Sequence, residues 1–324
     1  MKLQELPIGN TPIVEITYIY KNKLKKFYAK LESYNLTGSI KDRPAYYIIK
    51  KAIENNQLKE NQPIVEATSG NFGLGIAAIG TLLGHEVHIF MPEFVSEERK
   101  KLLELYGAIL HINNDEHDAF NIAIRNSQKF AKEHNAYETK QFENIDNVNA
   151  HYYTTGEEII KSLGNNINSF VAGIGSGGTF TGIAKRLKEY NKNIKTYCVE
   201  PSNMPILSGK KISGHSKISG IADDFIPSIV DQKLIDGVFS IEDDDAINMS
   251  RKLSKELGLG VGLSSGAYAI GAILLNEIAQ NTITVFSDDN KKYLSTELTD
   301  KNITYDNPNY ISNQVKFISV KKLN

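Results

Sequence analysis

Three polar, glycine-rich turns in this chain each lead into a helix-like run, and each has the composition of an anion cradle. In Gly173-Ile174-Gly175-Ser176-Gly177-Gly178-Thr179, backbone N–H groups, the dipole of the following helix and the hydroxyls of Ser176, Thr179 and Thr181 suit a phosphate dianion. The same run spells G-x-G-x-x-G, and Glu200 follows about twenty residues later, as in a dinucleotide-binding turn. On this turn alone a nicotinamide-dependent oxidoreductase stands level with the phosphate reading, and a purely structural turn is close behind. In Glu66-Ala67-Thr68-Ser69-Gly70-Asn71-Phe72-Gly73, two hydroxyls and an amide suit a carboxylate, although a capped βα turn is the plainer reading. In Gly38-Ser39-Ile40-Lys41-Asp42-Arg43-Pro44, a lysine stands where a helix begins, and a helix dipole there disfavours a cation. That field and partial burial both favour the neutral amine, the form that Schiff-base chemistry requires.

Such turns need rigid elements behind them. Ile64–Glu66, Val87–Met91, Ala108–Ile112, Phe170–Ala172, Thr196–Val199 and Ile283–Phe286 read as buried strands. Between them, 74–83, 96–105 (Ser96 as N-cap), 119–133, 244–257 and 266–278 have helical spacing. The alternation predicts an α/β fold, with parallel sheets covered by helices on both faces and ligands at the strand ends. The alternating tail 315–320 reads as an edge strand or an oligomer contact.

At 324 residues, 41% hydrophobic and 23% charged, the chain has the composition of a globular protein with ample core. A net charge of -1 argues against nucleic acid and against a polybasic membrane contact. The lone Cys198 excludes an internal disulfide and reads as a core thiol. The seven histidines show no ligand spacing, so no metal is expected, and His151 reads as a structural polar residue. No apolar run approaches a membrane span and the N-terminus has no signal-like core, so a cytoplasmic protein is expected.

Taken together, the segments carry a resemblance. Ile8-Gly9-Asn10-Thr11-Pro12, Ser39 to Arg43, Thr68 to Asn71, Gln141-Phe142-Glu143-Asn144, Thr154-Thr155-Gly156, Gly175 to Thr179, Gly220-Ile221 with Phe225-Ile226-Pro227, and Ser264 to Ala267 follow the order seen in cysteine synthases. The chain resembles O-acetylserine sulfhydrylases and, more distantly, the core of cystathionine β-synthase, from Leu6 to about Thr296. The resemblance implies the two-lobed pyridoxal 5'-phosphate (PLP) fold of type II, tryptophan synthase β-like. A smaller lobe is expected at 39–143, and a larger one at 1–38 plus 144–324. By analogy the protein is a homodimer.

The resemblance implies a Schiff base between Lys41 and PLP, with the phosphate held by Gly175, Ser176, Gly177, Gly178 and Thr179. Asn71 and Ser264 are then further cofactor contacts, and Thr68, Ser69, Gly70, Asn71 and Gln141 take the substrate carboxylate. The activity implied is β-replacement on O-acetylserine, serine or cysteine through an aminoacrylate, with sulfide or a thiol as nucleophile. A cysteine lyase that releases hydrogen sulfide is the alternative. A silent homologue would have no chemical need for Lys41. Three departures stand out. Phe72 replaces a threonine. Asp223-Asp224 fills a loop that is usually small, where either carboxylate could act on water. Asp288, with Ser287 beside it, stands where the family has a serine against the pyridine nitrogen; a carboxylate there would hold that nitrogen protonated.

Overall fold

The computed structural model describes residues 3–68, 70–93, 95–114, 119–221 and 224–323. The chain opens with a hairpin, β1 (Ile13–Tyr20) and β2 (Lys23–Leu31). Lys21 and Asn22 turn it, with φ of 50° and 59°, the left-handed geometry that suits a two-residue hairpin turn. After α1 (Asp42–Glu54) come β3 (Ile64–Ala67), α2 (Asn71–Leu82), β4 (Val87–Pro92), α3 (Glu97–Leu105), β5 (Ala108–Asn113), α4 (Ala119–His134) and β6 (Tyr137–Glu138). These strands form a parallel sheet in the order β5-β4-β3-β6. Every residue of β3 and β4 is buried, as expected where helices cover both faces.

The second half begins with α5 (Ile145–Ala150), which runs through a π-helical turn, His151–Gly156, into α6 (Glu157–Leu163). Then follow β7 (Ser169–Gly173), α7 (Gly178–Tyr190), β8 (Lys195–Pro201), β9 (Gly237–Ile241), α8 (Asp243–Leu257), α9 (Leu263–Leu275), β10 (Thr282–Phe286), α10 (Ile311–Gln314) and β11 (Lys316–Lys322). The larger sheet has the order β11-β1-β2-β10-β7-β8-β9. It is parallel from β2 through β10, β7 and β8 to β9, and antiparallel where β1 meets β2 and β11. The chain's end is therefore an edge strand.

Each sheet has its own core, one built on Phe27, Phe170, Phe180 and Ile283, the other on Ile48, Phe72, Ile76 and Ile89. Leu6, Ile8 and Leu36 pack on the second, although the hairpin between them joins the larger sheet. α9 is apolar and buried almost throughout. It starts at Leu263, ahead of the expected Gly266, and ends at Leu275, short of Ile278. Gly266 thus lies inside the helix, where an added Cβ would sit 2.1 Å from the Ala246 carbonyl oxygen, so α8 and α9 approach closely at this glycine. α2 likewise starts early, at Asn71. Ser96 occupies the N-cap of α3, but its side chain makes no capping bond, and its hydroxyl donates to the Lys292 carbonyl at 3.3 Å.

Candidate active site

Lys41 is the N-cap residue of α1, and its Nζ donates to Ser176 Oγ at 2.8 Å. The lysine turn and the turn after β7 therefore meet, although 135 residues separate them. The backbone around Lys41 is held by its two neighbours. Asp42 is fully buried and accepts from the Thr37 backbone N–H at 2.6 Å and the Thr37 hydroxyl at 2.5 Å. Burial pushes its carboxyl up to about 6. Arg43 lies in a buried ion cluster, with Nε 2.6 Å from Glu32 and Nη1 2.7 Å from Glu158. Lys30 reaches the same Glu158 at 2.7 Å. Burial alone would raise the Glu158 carboxyl, but Arg43 and Lys30 outweigh it and hold it down at about 2. Strand β2, α1 and α6 are joined at this cluster.

In the phosphate-type turn, Gly177 has φ of 90°, and an added Cβ would lie 2.5 Å from Val230 Cγ2, so only glycine fits. Helix α7 begins at the next residue, Gly178, directing its N-terminal amides at the turn. Thr179 Oγ1 lies 3.2 Å from Nε2 of the buried His151, whose Nδ1 meets Thr155 Oγ1 at 3.0 Å. Burial, then repulsion from Arg43 and Lys41, pushes the His151 pKa well down, so the ring is neutral. Thr181 Oγ1 is buried without a hydrogen-bond partner among the described residues.

At the carboxylate-type turn, Gly70 has φ of 147°, and an added Cβ would meet Arg99 Cδ at 2.6 Å. Thr68 is buried and its hydroxyl accepts from the Gly70 N–H at 3.3 Å. Ser69 lies outside the described residues. Phe72 is buried in the smaller sheet's core, so its ring fills that core. Gln141 Nε2 donates to the Ala67 carbonyl at 3.1 Å, which ties its side chain to the end of β3. Glu66 braces this corner, accepting from Ala67 N at 2.9 Å, the Thr139 hydroxyl at 2.6 Å and Gln141 N at 3.1 Å. Burial pushes its carboxyl up to about 7.

The fourth wall comes from the segment after β10. Ile40 N donates to the Ser287 carbonyl at 2.8 Å, and Ser39 bridges to Asp288, so this segment runs alongside the lysine turn. The buried Asp288 accepts at Oδ2 from Asn71 Nδ2 and from the Tyr293 hydroxyl, each at 2.7 Å. Asp288 Oδ1 and Asn71 Oδ1 are both buried with no partner among the described residues. Ser287 N donates to the hydroxyl of Ser265, next to the buried Ser264, at 3.0 Å. The Tyr268 phenol lies against Ser287, the Gly173 backbone and Ser264, and burial raises its pKa.

Direct hydrogen bonds thus unite Lys41 with Ser176 and Asn71 with Asp288. Asp224 is exposed, on the loop before Phe225, and Asp223 lies outside the described residues. Glu200 is not set up for a ribose. Its buried carboxylate accepts from Leu207 N at 2.9 Å, Ser208 N at 3.2 Å and the Ser208 and Ser240 hydroxyls. Sequence reasoning passed over Asn147 and Tyr268, and named Glu66 and Arg43 only as members of their turns. Asn147 and His151 stand four residues apart, and that spacing would have paired them had a helix been assigned there.

A lysine bonded to an anion-type turn, with the unpartnered buried acceptors Asn71 Oδ1 and Asp288 Oδ1 on neighbouring segments, suits a small aldehyde-bearing phosphate ester. The protein-family description that matches, over residues 4–288, is the pyridoxal-phosphate dependent enzyme. A hydrogen sulfide-producing enzyme from Fusobacterium nucleatum is 45% identical, with TM-score 0.91 and coverage of 98% of this chain and 97% of that one. Cysteine synthase B of Campylobacter jejuni is 40% identical over 308 residues, 92% of this chain and 98% of its own length. A cysteine synthase of Staphylococcus aureus is 37% identical over 295 residues, 90% and 94% of the two chains. The chain belongs to the family of pyridoxal-phosphate dependent enzymes, in its cysteine synthase group.

Proposed function

We propose that this enzyme replaces the β-substituent of a serine- or cysteine-type amino acid, with O-acetylserine and sulfide as reactants and cysteine and acetate as products. The observation that carries the reading is the meeting of Lys41 with Ser176 at 2.8 Å, which puts an amine beside an anion turn. PLP supplies an aldehyde for the lysine and a ring that withdraws electrons from the amino acid's α-carbon. The N–H groups of Gly175, Gly177 and Gly178, with the hydroxyls of Ser176 and Thr179, would hold its phosphate. Asn71, Ser264, Ser287 and Asp288 would be its further contacts. Thr68, Ser69, Gly70, Asn71 and Gln141 bind the substrate carboxylate and exclude water. The Lys41 amine would serve as the general base for the amino acid's α-proton. Residues 39–143 form the smaller lobe, and 1–38 with 144–324 the larger. We take the working form as a cytoplasmic homodimer, which sedimentation at micromolar concentration tests.

The Asp223-Asp224 pair and the likeness to a hydrogen sulfide-producing enzyme favour a second reading, in which water is the nucleophile and cysteine the substrate. The reaction would then be L-cysteine plus water to L-serine plus hydrogen sulfide, with one carboxylate accepting the proton that water loses. The test is the visible spectrum of the PLP-loaded protein on adding L-cysteine alone, with sulfide assayed in the same cuvette. A spectral change without sulfide favours the synthase. Sulfide release favours the lyase, and it should then fall in Asp223→Asn or Asp224→Asn. A protein that takes up no PLP sinks both.

A further inference from the structure

We propose that Asn147 is a positioning residue that couples the phosphate turn to the segment carrying Gln141, so that an anion at the turn strengthens amino-acid binding. This rests on the reading of that turn as the cofactor-phosphate site. Asn147 is 1% exposed, on α5. Its amide nitrogen donates to the Gln141 carbonyl at 2.7 Å and to Ser176 Oγ at 3.0 Å. An amide nitrogen has two hydrogens, so both are committed, one to each segment. The orientation is unambiguous, since the reversed amide would set its oxygen against the Gln141 carbonyl, acceptor against acceptor.

Ser176 Oγ also receives Lys41 Nζ at 2.8 Å. A hydroxyl oxygen accepts twice, so Asn147 and Lys41 fill it, and its own hydrogen must point elsewhere. That hydrogen is the one an anion in the turn would take. Binding an anion would therefore fix the Ser176 rotor and, through Asn147, the peptide of Gln141.

The fit is tight and strained in one respect. Asn147 Oδ1 is buried without a hydrogen-bond partner among the described residues, and an added Cβ on Gly178 would lie 1.9 Å from it. A side chain needed only to fill space would not carry an unpaired buried acceptor. The supports on either side are stiff. Asn144 caps α5 by accepting from Asp146 N at 3.0 Å and donates to the Thr139 carbonyl at 3.1 Å. Four residues beyond Asn147, His151 holds the second hydroxyl of the turn, Thr179, at 3.2 Å. One helical segment thus touches the hydroxyls of both Ser176 and Thr179, and Asn147 carries it across to Gln141.

Coupling between two ligands is reciprocal and typically amounts to about 5–150-fold in affinity. The test is spectrophotometric titration with L-serine of the protein saturated with PLP and of the protein saturated with pyridoxal, which lacks the phosphate, for the native chain, Asn147→Asp and Asn147→Ser. The aspartate keeps the shape and loses both donors; the serine serves as a neutral control if the new charge disturbs folding. Circular dichroism shows which variants fold. We expect the cofactor's phosphate to tighten L-serine binding about fivefold in the native chain, and the ratio to approach one in a folded variant. A folded variant that retains the native ratio, or a native chain with no ratio above one, overturns the proposal. A native chain that binds neither pyridoxal nor PLP overturns the functional reading instead.

Discussion

Lys41 stands at the N-terminus of α1 with its Nζ on the Ser176 hydroxyl, so its amine is held beside the anion turn, where chemistry at an aldehyde would take place. Lys41→Ala should leave the fold intact, remove the yellow colour of the loaded protein and lower turnover by at least about 10²–10⁴-fold, the usual worth of a general base. Retained colour or turnover would assign the lysine's role to another amine. Glu158 gives an acid-side test. Its folded pKa of about 2 lies below the ordinary 4.5, so folding favours the charged form. The stabilisation is complete above the unfolded pKa and is lost as pH falls towards the folded one, about 3 kcal/mol in all. Thermal melts should therefore drop more steeply below about pH 4.5 for the native chain than for Glu158→Gln; parallel curves would take Glu158 out of the acid limb. Residues that act within one turn were legible in the sequence, because glycine, hydroxyl and lysine spacing is local. Asn147 and Glu158 were not, because their partners lie on other segments. Glu200 was misleading for the same reason. The fingerprint gives its distance along the chain and says nothing of the loop that saturates its carboxylate.

Among the elements, the π-helical turn at 151–156 is held against α7 by Gly182. A Cβ there would lie 2.4 Å from the Val148 carbonyl oxygen and 2.8 Å from His151 Cβ. Gly182→Ala should cost about 1–3 kcal/mol, as overpacking does, and urea melts should report it. An unchanged midpoint would mean that α7 can slide freely over α5. The buried parallel strands were readable as apolar runs, and the helices between them as periodic ones. The β1–β2 hairpin escaped, and its sequence explains why. Lys30 lies in the buried half of β2, paired with Glu158, so the strand does not show a clean apolar face. Phe72 replaces a threonine directly after Asn71, at the start of α2. The helix turns it towards the core.

At the scale of the whole molecule, the site is closed by parts of both sheets, with Asn71 of α2 bonded to Asp288 beyond β10. A ligand seated there must stabilise the assembly by mass action, about 2.7 kcal/mol at a free concentration 100 times its dissociation constant. Stripping PLP should therefore lower the melting temperature, and adding it back should restore it. A melting temperature indifferent to PLP would mean that the folded and unfolded chains bind it alike.

The central place of β10 also bears on how the chain is made. A ribosome releases residues in order, and everything in the four-stranded sheet lies between residues 64 and 138, so that sheet can close early. The hairpin cannot find its inner neighbour so soon, because Tyr28 of β2 pairs beside Ile283 of β10. For most of synthesis the edge of β2 waits unpaired, the interval in which a nascent chain is most exposed to wrong strand partners. Lys41 emerges early and Asp288 late, so an unfinished chain carries the reactive amine without the wall that encloses it.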